Sequence, residues 1–255
     1  TANYSAYLAD TGYTPKEPNY WLRNWYDDWP GNLLPPPPPL SEPNHTRYGL
    51  TRVAGERRPL ALTGALRPAP LAATGARLPP RTPPARMAAW PVTYVSLGEA
   101  RAYCAWAGGR LPHAWEWSYA AQGLDGRDHP WGHDPHENCT SCWPAFTDGN
   151  VFTGPEDVGA HPAGDSPMGV SDMAGNVWQY TDEVRDEHTR SVILRGGSNY
   201  RPSTSGWYFP NRAGDRAGAP CTTHNKYMLF DDSYERAGTI GFRCVTDAAE
   251  AYDMK

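Results

Sequence analysis

The chain has 255 residues and a formal net charge of −5, with no long basic run. This charge argues against a nucleic-acid partner, which would need a basic surface. No apolar stretch is long enough to cross a membrane as a helix. The 25 glycines and 27 prolines favour loops over long regular elements, while 11 tryptophans and 15 tyrosines supply core material. Because the first residue is Thr1 rather than Met, we expect a mature form or a fragment.

Residues 1–32 predict a short helix followed by an aromatic-rich segment. Tyr4, Tyr7 and Leu8 recur at helical spacing. Gly12 suits the left-handed conformation that ends many helices. We therefore interpret this stretch as the beginning of the folded domain.

Residues 33–89 form a segment rich in Pro, Ala and Arg, without a hydrophobic period. Proline fixes φ and has no N–H donor, so five consecutive prolines predict an extended polyproline helix at Pro35, Pro36, Pro37, Pro38 and Pro39. Two interpretations stay open. The segment is either an irregular loop lying on the domain, or an insertion or linker whose hydroxylated prolines carry O-linked sugar.

Residues 90–247 predict the main domain, and residues 248–255 a tail. A short strand is expected over Val92–Val95, followed by a helix that begins with the capping box Ser96-x-x-Glu99. One face of this helix carries Leu97, Ala100, Cys104 and Ala107. A second helix follows, with Pro112 near its first turn and Gly123 at its end. Further strands are predicted at Val192–Leu194 and Thr239–Val245.

Three N-glycosylation sequons and five cysteines favour a secreted, extracellular glycoprotein. The sequons begin at Asn3, Asn44 and Asn138. Cys139 and Cys142 pair either with each other or with Cys221, and the sequence alone leaves this choice open.

Three stretches together resemble the formylglycine-generating enzyme family, also called sulfatase-modifying factors. They are "GRLPHAWEWSYAAQG", "GVSDMAGNVWQYTDE", and "LRGGS" followed later by "GTIGFRCV". The resemblance implies an α+β domain, a loop-rich variant of the C-type lectin fold with little regular secondary structure. It covers residues 91–247 well, residues 1–30 weakly, and residues 33–89 not at all.

The resemblance implies an enzyme scaffold that has lost its redox metal. Active members oxidise a cysteine of a sulfatase peptide to formylglycine with copper(I), a soft ion held by two soft thiolates. Those thiolate positions fall at Arg201 and Gly206, and no cysteine lies between Cys142 and Cys221. We therefore expect no copper. The remaining cleft candidates are Trp178, Ser198, Asn199, Arg201 and Trp207.

The resemblance also implies a disulfide between Cys104 and Cys244 and a calcium site. The first ligand set would be the Asp172 carboxylate, the carbonyls of Gly175 and Val177, and the Gln179 amide oxygen, all hard donors that suit calcium. A weaker second set falls at Asn138, Cys139, Asn150 and Phe152. A sugar on the sequon residue of that second set would exclude metal ligation.

A zinc site is the rival metal interpretation. His133, His136, Cys139 and Cys142 recur every three residues, and zinc accepts such ligands. Pro135 interrupts the segment, and a secretory context favours disulfides over thiolates. We therefore prefer the disulfide interpretation.

Three functions follow from these observations. The first is a secreted non-catalytic glycoprotein domain that acts in binding or as a subunit of an extracellular assembly. The second is an oxidoreductase or another enzyme that reuses the same cleft, and the third is a lectin-like carbohydrate-binding module. The resemblance implies strands before the first helix that are missing from this sequence. Either the sequence is incomplete at that end, or copies of itself or another chain supply the strands by strand addition.

Overall fold

The computed structural model describes residues 1–16, 18, 20–25, 45–46, 50–51, 83–133, 139, 141–144, 147–148, 154–186, 191–198, 200–201, 225–228 and 236–248. The described fold is mixed α+β, with a small sheet and few helices. The helices are α1 (Ala2–Thr11), α2 (Leu97–Trp106) and α3 (Ala114–Gln122). The strands are β1 (His45–Thr46), β2 (Leu50–Thr51), β3 (Thr147–Asp148), β4 (Trp178–Asp186), β5 (Ser191–Arg195), β6 (Tyr200–Arg201), β7 (Asn225–Met228) and β8 (Ile240–Phe242).

The largest sheet has four strands in the order β7-β5-β4-β8. Strand β5 is antiparallel to both of its neighbours, whereas β4 and β8 run parallel. The register places Gln179 opposite both Arg195 of β5 and Gly241 of β8. Two short pairs lie apart from this sheet, β1 with β2 antiparallel and β3 with β6 parallel. All four strands therefore lie side by side at Tyr180, near the start of β4.

The predicted helix ends agree with the structure. Gly12 has φ of 64° and its N–H donates to the carbonyl of Leu8, which closes α1 as expected for a left-handed cap. The capping box of α2 is complete, since Ser96 N–H donates to Glu99 Oε2 at 2.7 Å and the Ser96 hydroxyl accepts from Glu99 N–H. Helix α3 begins just after Pro112 and ends at Gly123.

Two strand predictions need correction. Val92–Val95 is not a strand, because Tyr94 adopts a left-handed φ of 58° that interrupts the extended conformation of a regular strand. Its backbone instead joins two other segments: its N–H donates to the Ala237 carbonyl and its carbonyl accepts from Leu22 N–H. The strand expected over Thr239–Val245 is shorter, since β8 covers only Ile240–Phe242. The strand predicted at Val192–Leu194 lies within β5.

Aromatic packing joins α1 to the rest of the domain. Tyr4 of α1 is 2% exposed, and its ring stacks on Tyr103 of α2 at a centroid distance of 5.4 Å. Its edge meets Trp25 at 6.3 Å. A second apolar cluster lies between α2 and the sheet and contains Leu97, Ala100, Cys104, Leu111, Trp178, Tyr180, Val192, Leu194 and Ile240. The two clusters place α2 between α1 and the sheet.

A buried ion pair fixes the segment before β8 against α2. The Arg236 guanidinium donates to both oxygens of Glu99, with Nη2–Oε1 at 2.6 Å and Nε–Oε2 at 3.0 Å. The two side chains are 1% and 2% exposed. Because Glu99 also closes the capping box, one carboxylate orients both the start of α2 and the approach to β8.

Cys104 and Cys244 form a disulfide, the pairing that the resemblance implied, with Cα atoms 5.4 Å apart. The bridge joins α2 to the segment after β8. Among the helices that the structure describes, none is long and apolar enough to cross a membrane.

Removing the long-range disulfide should destabilise the domain much more than removing the short one. The Cys104–Cys244 bridge spans 140 positions and the Cys139–Cys142 bridge only 3. In the chain-entropy model, Cys104→Ala/Cys244→Ala should lower the free energy of unfolding by about 3–5 kcal/mol, and Cys139→Ala/Cys142→Ala by about 1–2 kcal/mol. Urea unfolding under non-reducing conditions measures both values. Equal losses in the two variants would contradict the loop-length argument.

Candidate functional site

The sequence stretches that carry the resemblance meet at the side chain of Gln179, at the start of β4. Its Oε1 accepts from Trp117 Nε1 of α3 at 2.8 Å and from Arg243 Nε at 2.6 Å. Its Nε2 donates to the backbone carbonyl of Asp172 at 2.8 Å. One buried amide therefore connects α3, the loop at 171–177, β4 and the segment after β8.

The Arg243 guanidinium completes this junction. Its Nη2 donates to the carbonyls of Ser171 at 3.0 Å and Asp172 at 3.2 Å. Desolvation by burial lowers the pKa of Arg243 to about 10, while the charge of the Asp172 carboxylate opposes that shift. The group stays protonated at neutral pH, so it is a fixed positive charge that holds the loop. We call Arg243, Gln179, Trp117 and Asp172 the motif junction.

The Gly196-Gly197 turn after β5 packs against Gln179 and Trp117 of the motif junction. Gly196 has φ of 93°, and its carbonyl accepts from Gly175 N–H at 2.9 Å. A Cβ on Gly196 would lie 3.2 Å from both Gln179 Nε2 and Trp117 Cζ2. Glycine is needed here both for the left-handed φ and for the close approach.

Only part of the predicted cleft lies within the described residues. Trp178 is 2% exposed and packs in the apolar cluster between α2 and the sheet, so its indole belongs to the core. Ser198 is buried, and its hydroxyl has no hydrogen-bond partner among the residues that the structure describes. Arg201 is described in its backbone alone, as part of β6. Asn199, Gly206 and Trp207 lie outside the described residues.

The four first-choice calcium ligands line one cavity of about 220 Å³, together with Arg243. The Asp172 carboxylate accepts from Gly159 N–H at 2.8 Å and keeps further oxygen lone pairs. The donor chemistry of Asp172 and of the Gly175 and Val177 carbonyls suits calcium. The Gln179 amide oxygen fits less well, since two N–H donors already occupy its two lone pairs. Three of the four expected ligands are therefore of the oxygen type that calcium accepts, while the guanidinium of Arg243 lines the same cavity and opposes a cation there.

The weaker calcium set cannot be assembled here, because Asn138, Asn150 and Phe152 lie outside the described residues. Within the described part of the chain, no group of three or more His, Cys, Asp or Glu side chains is placed to hold a metal.

The structure does not support the zinc interpretation, because the two cysteines that would bind the metal are bonded to each other. Cys139 and Cys142 form a disulfide with each other, one of the two pairings that the sequence left open. A disulfide offers no thiolate to zinc. His133 Nδ1 lies 3.5 Å from Asp128 Oδ2, while His136 and Cys221 lie outside the described residues.

Of the predicted glycosylation residues, only Asn3 lies within the described part of the chain. It is exposed on the first turn of α1. The helix N-cap is Thr1, so Asn3 does not serve as that cap. Asn44, Asn138 and the prolines at 35–39 lie outside the described residues.

Sequence reasoning missed Arg243 and Trp117, although both stand inside the quoted motifs. The segment "GFRCV" drew attention to its cysteine, and "AWEWSY" to helix formation. A charged residue between apolar neighbours in "GFRC" was the available signal, because a charge drawn toward the core needs hydrogen-bond partners there. Arg110 of "GRLP" is a further case, with Nη1 and Nη2 each 2.7 Å from an oxygen of Glu116. These hydrogen bonds from Arg110 lower the pKa of Glu116 to about 2.

Loss of the Gln179 amide should destabilise the domain strongly. Gln179→Ala leaves buried N–H groups of Trp117 and Arg243 without their acceptor, and we expect a loss of about 2–4 kcal/mol in the free energy of unfolding. Gln122→Ala is the matched control, since half-buried Gln122 makes a single bond to the Arg127 carbonyl and should lose about 1 kcal/mol or less. Chemical denaturation measures the free energy of unfolding of both variants. Similar losses in the two would contradict a central role for Gln179 in the fold.

The amino-acid sequence is similar to those of several known proteins. The chain is 41% identical over 118 residues to inactive C-alpha-formylglycine-generating enzyme 2 of Bos taurus, covering 43% of this chain and 38% of that protein. It is 35% identical over 164 residues to the Mus musculus protein of the same name, covering 62% of this chain and 49% of that one. Hercynine oxygenase of Mycobacterium tuberculosis (strain ATCC 25618 / H37Rv) is 33% identical over 163 residues, which cover 62% of this chain and 37% of that protein. The chain thus spans less than half the length of these three relatives.

Among solved structures, the crystal structure of CarF is similar over 53% of this chain and 45% of that chain, with 21% identity and a TM-score of 0.37. The profile of the FGE-sulfatase family, described as a sulfatase-modifying factor enzyme 1-like domain, matches residues 1–248. That range includes nearly the whole chain of 255 residues. The chain therefore belongs to the FGE-sulfatase family.

Proposed function

We propose that this chain is a non-catalytic domain on the scaffold of the formylglycine-generating enzymes, acting in binding or as a subunit of an extracellular assembly. One observation carries the proposal: no cysteine lies anywhere in residues 143–220, where the resemblance places two copper thiolates. The residues at those positions are Arg201 and Gly206. A guanidinium and a hydrogen atom offer copper(I) no soft ligand. The likeness to two relatives named inactive supports the same conclusion.

The motif junction supports a structural role for the motifs that carry the resemblance. The polar atoms of Gln179 and Arg243 bond to Trp117 and to backbone carbonyls of the same domain. Trp178 is a core residue. These side chains hold the loops together, so their presence in the sequence does not require a reaction.

We further propose that the domain is a secreted glycoprotein with the loop-rich C-type lectin variant of the α+β fold. Two disulfides among the described residues suit an oxidising compartment. Asn3, the residue of its sequon that would carry the sugar, is exposed on α1.

The proposal predicts that the chain does not convert cysteine to formylglycine. Incubated with copper and a cysteine-containing sulfatase peptide, it should yield no aldehyde mass change, whereas an active formylglycine-generating enzyme run in parallel should. Arg201→Cys/Gly206→Cys should gain stoichiometric copper(I) binding, because it restores two soft ligands. Arg201→Ser/Gly206→Ser is the matched control and should gain none. Turnover by the unaltered chain would overturn the proposal.

A second candidate is an enzyme of another kind that reuses the cleft. The observation that favours it is the buried Ser198 hydroxyl, which has no partner among the described residues. Such a group suits a bound ligand or substrate. Metal analysis of the purified protein separates the candidates, because iron or copper favours an enzyme and calcium alone favours the non-catalytic domain.

Calcium is proposed as a ligand of the loop at 171–177, held by Asp172 and the Gly175 and Val177 carbonyls. With one carboxylate, we expect a dissociation constant on the order of 10⁻⁴–10⁻³ M, as in extracellular modules. Calcium at tenfold that concentration should stabilise the domain by about 1.4 kcal/mol. Asp172→Asn should abolish this gain, while Asp157→Asn, an exposed acid in the neighbouring segment, should keep it. Thermal unfolding with calcium or EDTA measures the effect. Equal melting temperatures of the unaltered chain in calcium and in EDTA would reject the site.

A further inference from the structure

The Cys139–Cys142 disulfide is poorly suited to stabilising the fold. It joins positions only 3 apart, whereas the other bridge spans 140. The entropy that a bridge removes from the unfolded chain grows with the loop it closes, so the short bridge restricts that chain little. Two intervening residues, C-x-x-C, are also the spacing used by disulfide oxidoreductases. The spacing therefore favours a chemical role.

The two cysteines differ in their exposure. Cys142 is 4% exposed as a residue, whereas Cys139 is half-buried. Cys139 is therefore the more accessible of the two to an incoming thiolate. The Cys142 sulfur lies 3.3 Å from the Ala163 carbonyl oxygen. After reduction, the Cys142 thiol has this acceptor already in place for its S–H.

The turn that carries the cysteines is held by contacts that do not involve sulfur. Cys142 N–H donates to the Cys139 carbonyl at 3.2 Å. The backbone of Gly164 packs so closely that a Cβ there would lie 1.8 Å from the Cys142 carbonyl oxygen. His161 Nδ1 lies 3.2 Å from the Ser141 carbonyl oxygen. These contacts keep the two thiols near each other after reduction, so that the bridge can form again within the molecule.

The same turn rests on the loop of the motif junction. Trp143 is 9% exposed. A Cβ on Gly175 would lie 3.3 Å from Pro144 Cδ and 3.5 Å from Trp143 Cε3. Trp143 is thus in close contact with Gly175 and next to Cys142, so a small movement of Cys142 when the two sulfurs separate would change how Trp143 packs.

We propose that Cys139–Cys142 is a redox-active disulfide that exchanges with dithiols and, when reduced, alters the packing of Trp143 on the loop at 171–177. One thiolate of a dithiol reductant attacks Cys139 Sγ, the bridge breaks, and Cys142 leaves as a thiolate that takes a proton from solvent. The second thiol of the reductant, on losing its proton, attacks the mixed disulfide and releases Cys139 as a thiolate, which is then protonated. Two electrons and two protons pass to the chain, and the reductant becomes a disulfide.

The test equilibrates the folded full chain in mixtures of reduced and oxidised dithiothreitol, followed by alkylation and peptide mass mapping. We expect half-reduction of Cys139–Cys142 at a reduced-to-oxidised ratio at least tenfold lower than that for Cys104–Cys244. Tryptophan fluorescence should change with the same midpoint and return on reoxidation. Both experiments use Cys221→Ser as the background, to prevent exchange with that thiol.

Two variants separate the redox role from mere accessibility. Trp143→Phe should keep the alkylation midpoint and lose most of the fluorescence change, while Cys139→Ser/Cys142→Ser should lose both. The proposal is overturned if the two bridges are reduced at the same ratio, if the short bridge reacts only after unfolding, or if its reduction leaves the fluorescence of the unaltered tryptophans unchanged.

Discussion

The half-buried guanidinium of Arg243, whose N–H groups donate to the protein, is the constraint on which the described fold depends. A charge withdrawn from water is unfavourable unless hydrogen bonds replace the lost hydration. Here the replacements are the Gln179 amide oxygen and the carbonyls of Ser171 and Asp172. Those acceptors come from the start of β4 and from the preceding loop. Their positions are therefore coupled, because moving either segment would leave the charge without an acceptor.

A second charge, buried at the start of α2, has the same effect. Arg236 and Glu99 are bound through two N–H to O contacts and are almost fully enclosed. Removing one partner of such a pair leaves the other charge buried and uncompensated. The segment from Arg236 to Arg243 thus holds a cation at each end, with β8 between them. In a domain with many loops, these two charges and the Cys104–Cys244 bridge fix residues 236–244.

The sequence predicted local features well because their determinants are local. Gly12 and the Ser96–Glu99 capping box each act within a few residues, and both were found as expected. The strand at Val92–Val95 was wrong, since alternation of apolar residues did not reveal the left-handed Tyr94. The motif junction was missed because its partners are 62 and 64 positions apart, as for Gln179 with Trp117 and with Arg243. No periodicity reports contacts of that range.

The residues that hold the fold together at the candidate site are different from the residues to which the resemblance assigns copper binding. The scaffold is fixed by nitrogen and oxygen atoms of Arg243, Gln179 and Trp117, none of which is a soft ligand. The thiolates that copper requires would lie on the segment after the Gly196-Gly197 turn, and they make no part of the junction. The resemblance assigns those positions to Arg201 and Gly206, and neither residue is a partner in the hydrogen bonds of the motif junction. A chain of this family can accordingly keep all its recognisable motifs while its cleft is free to take on a binding role.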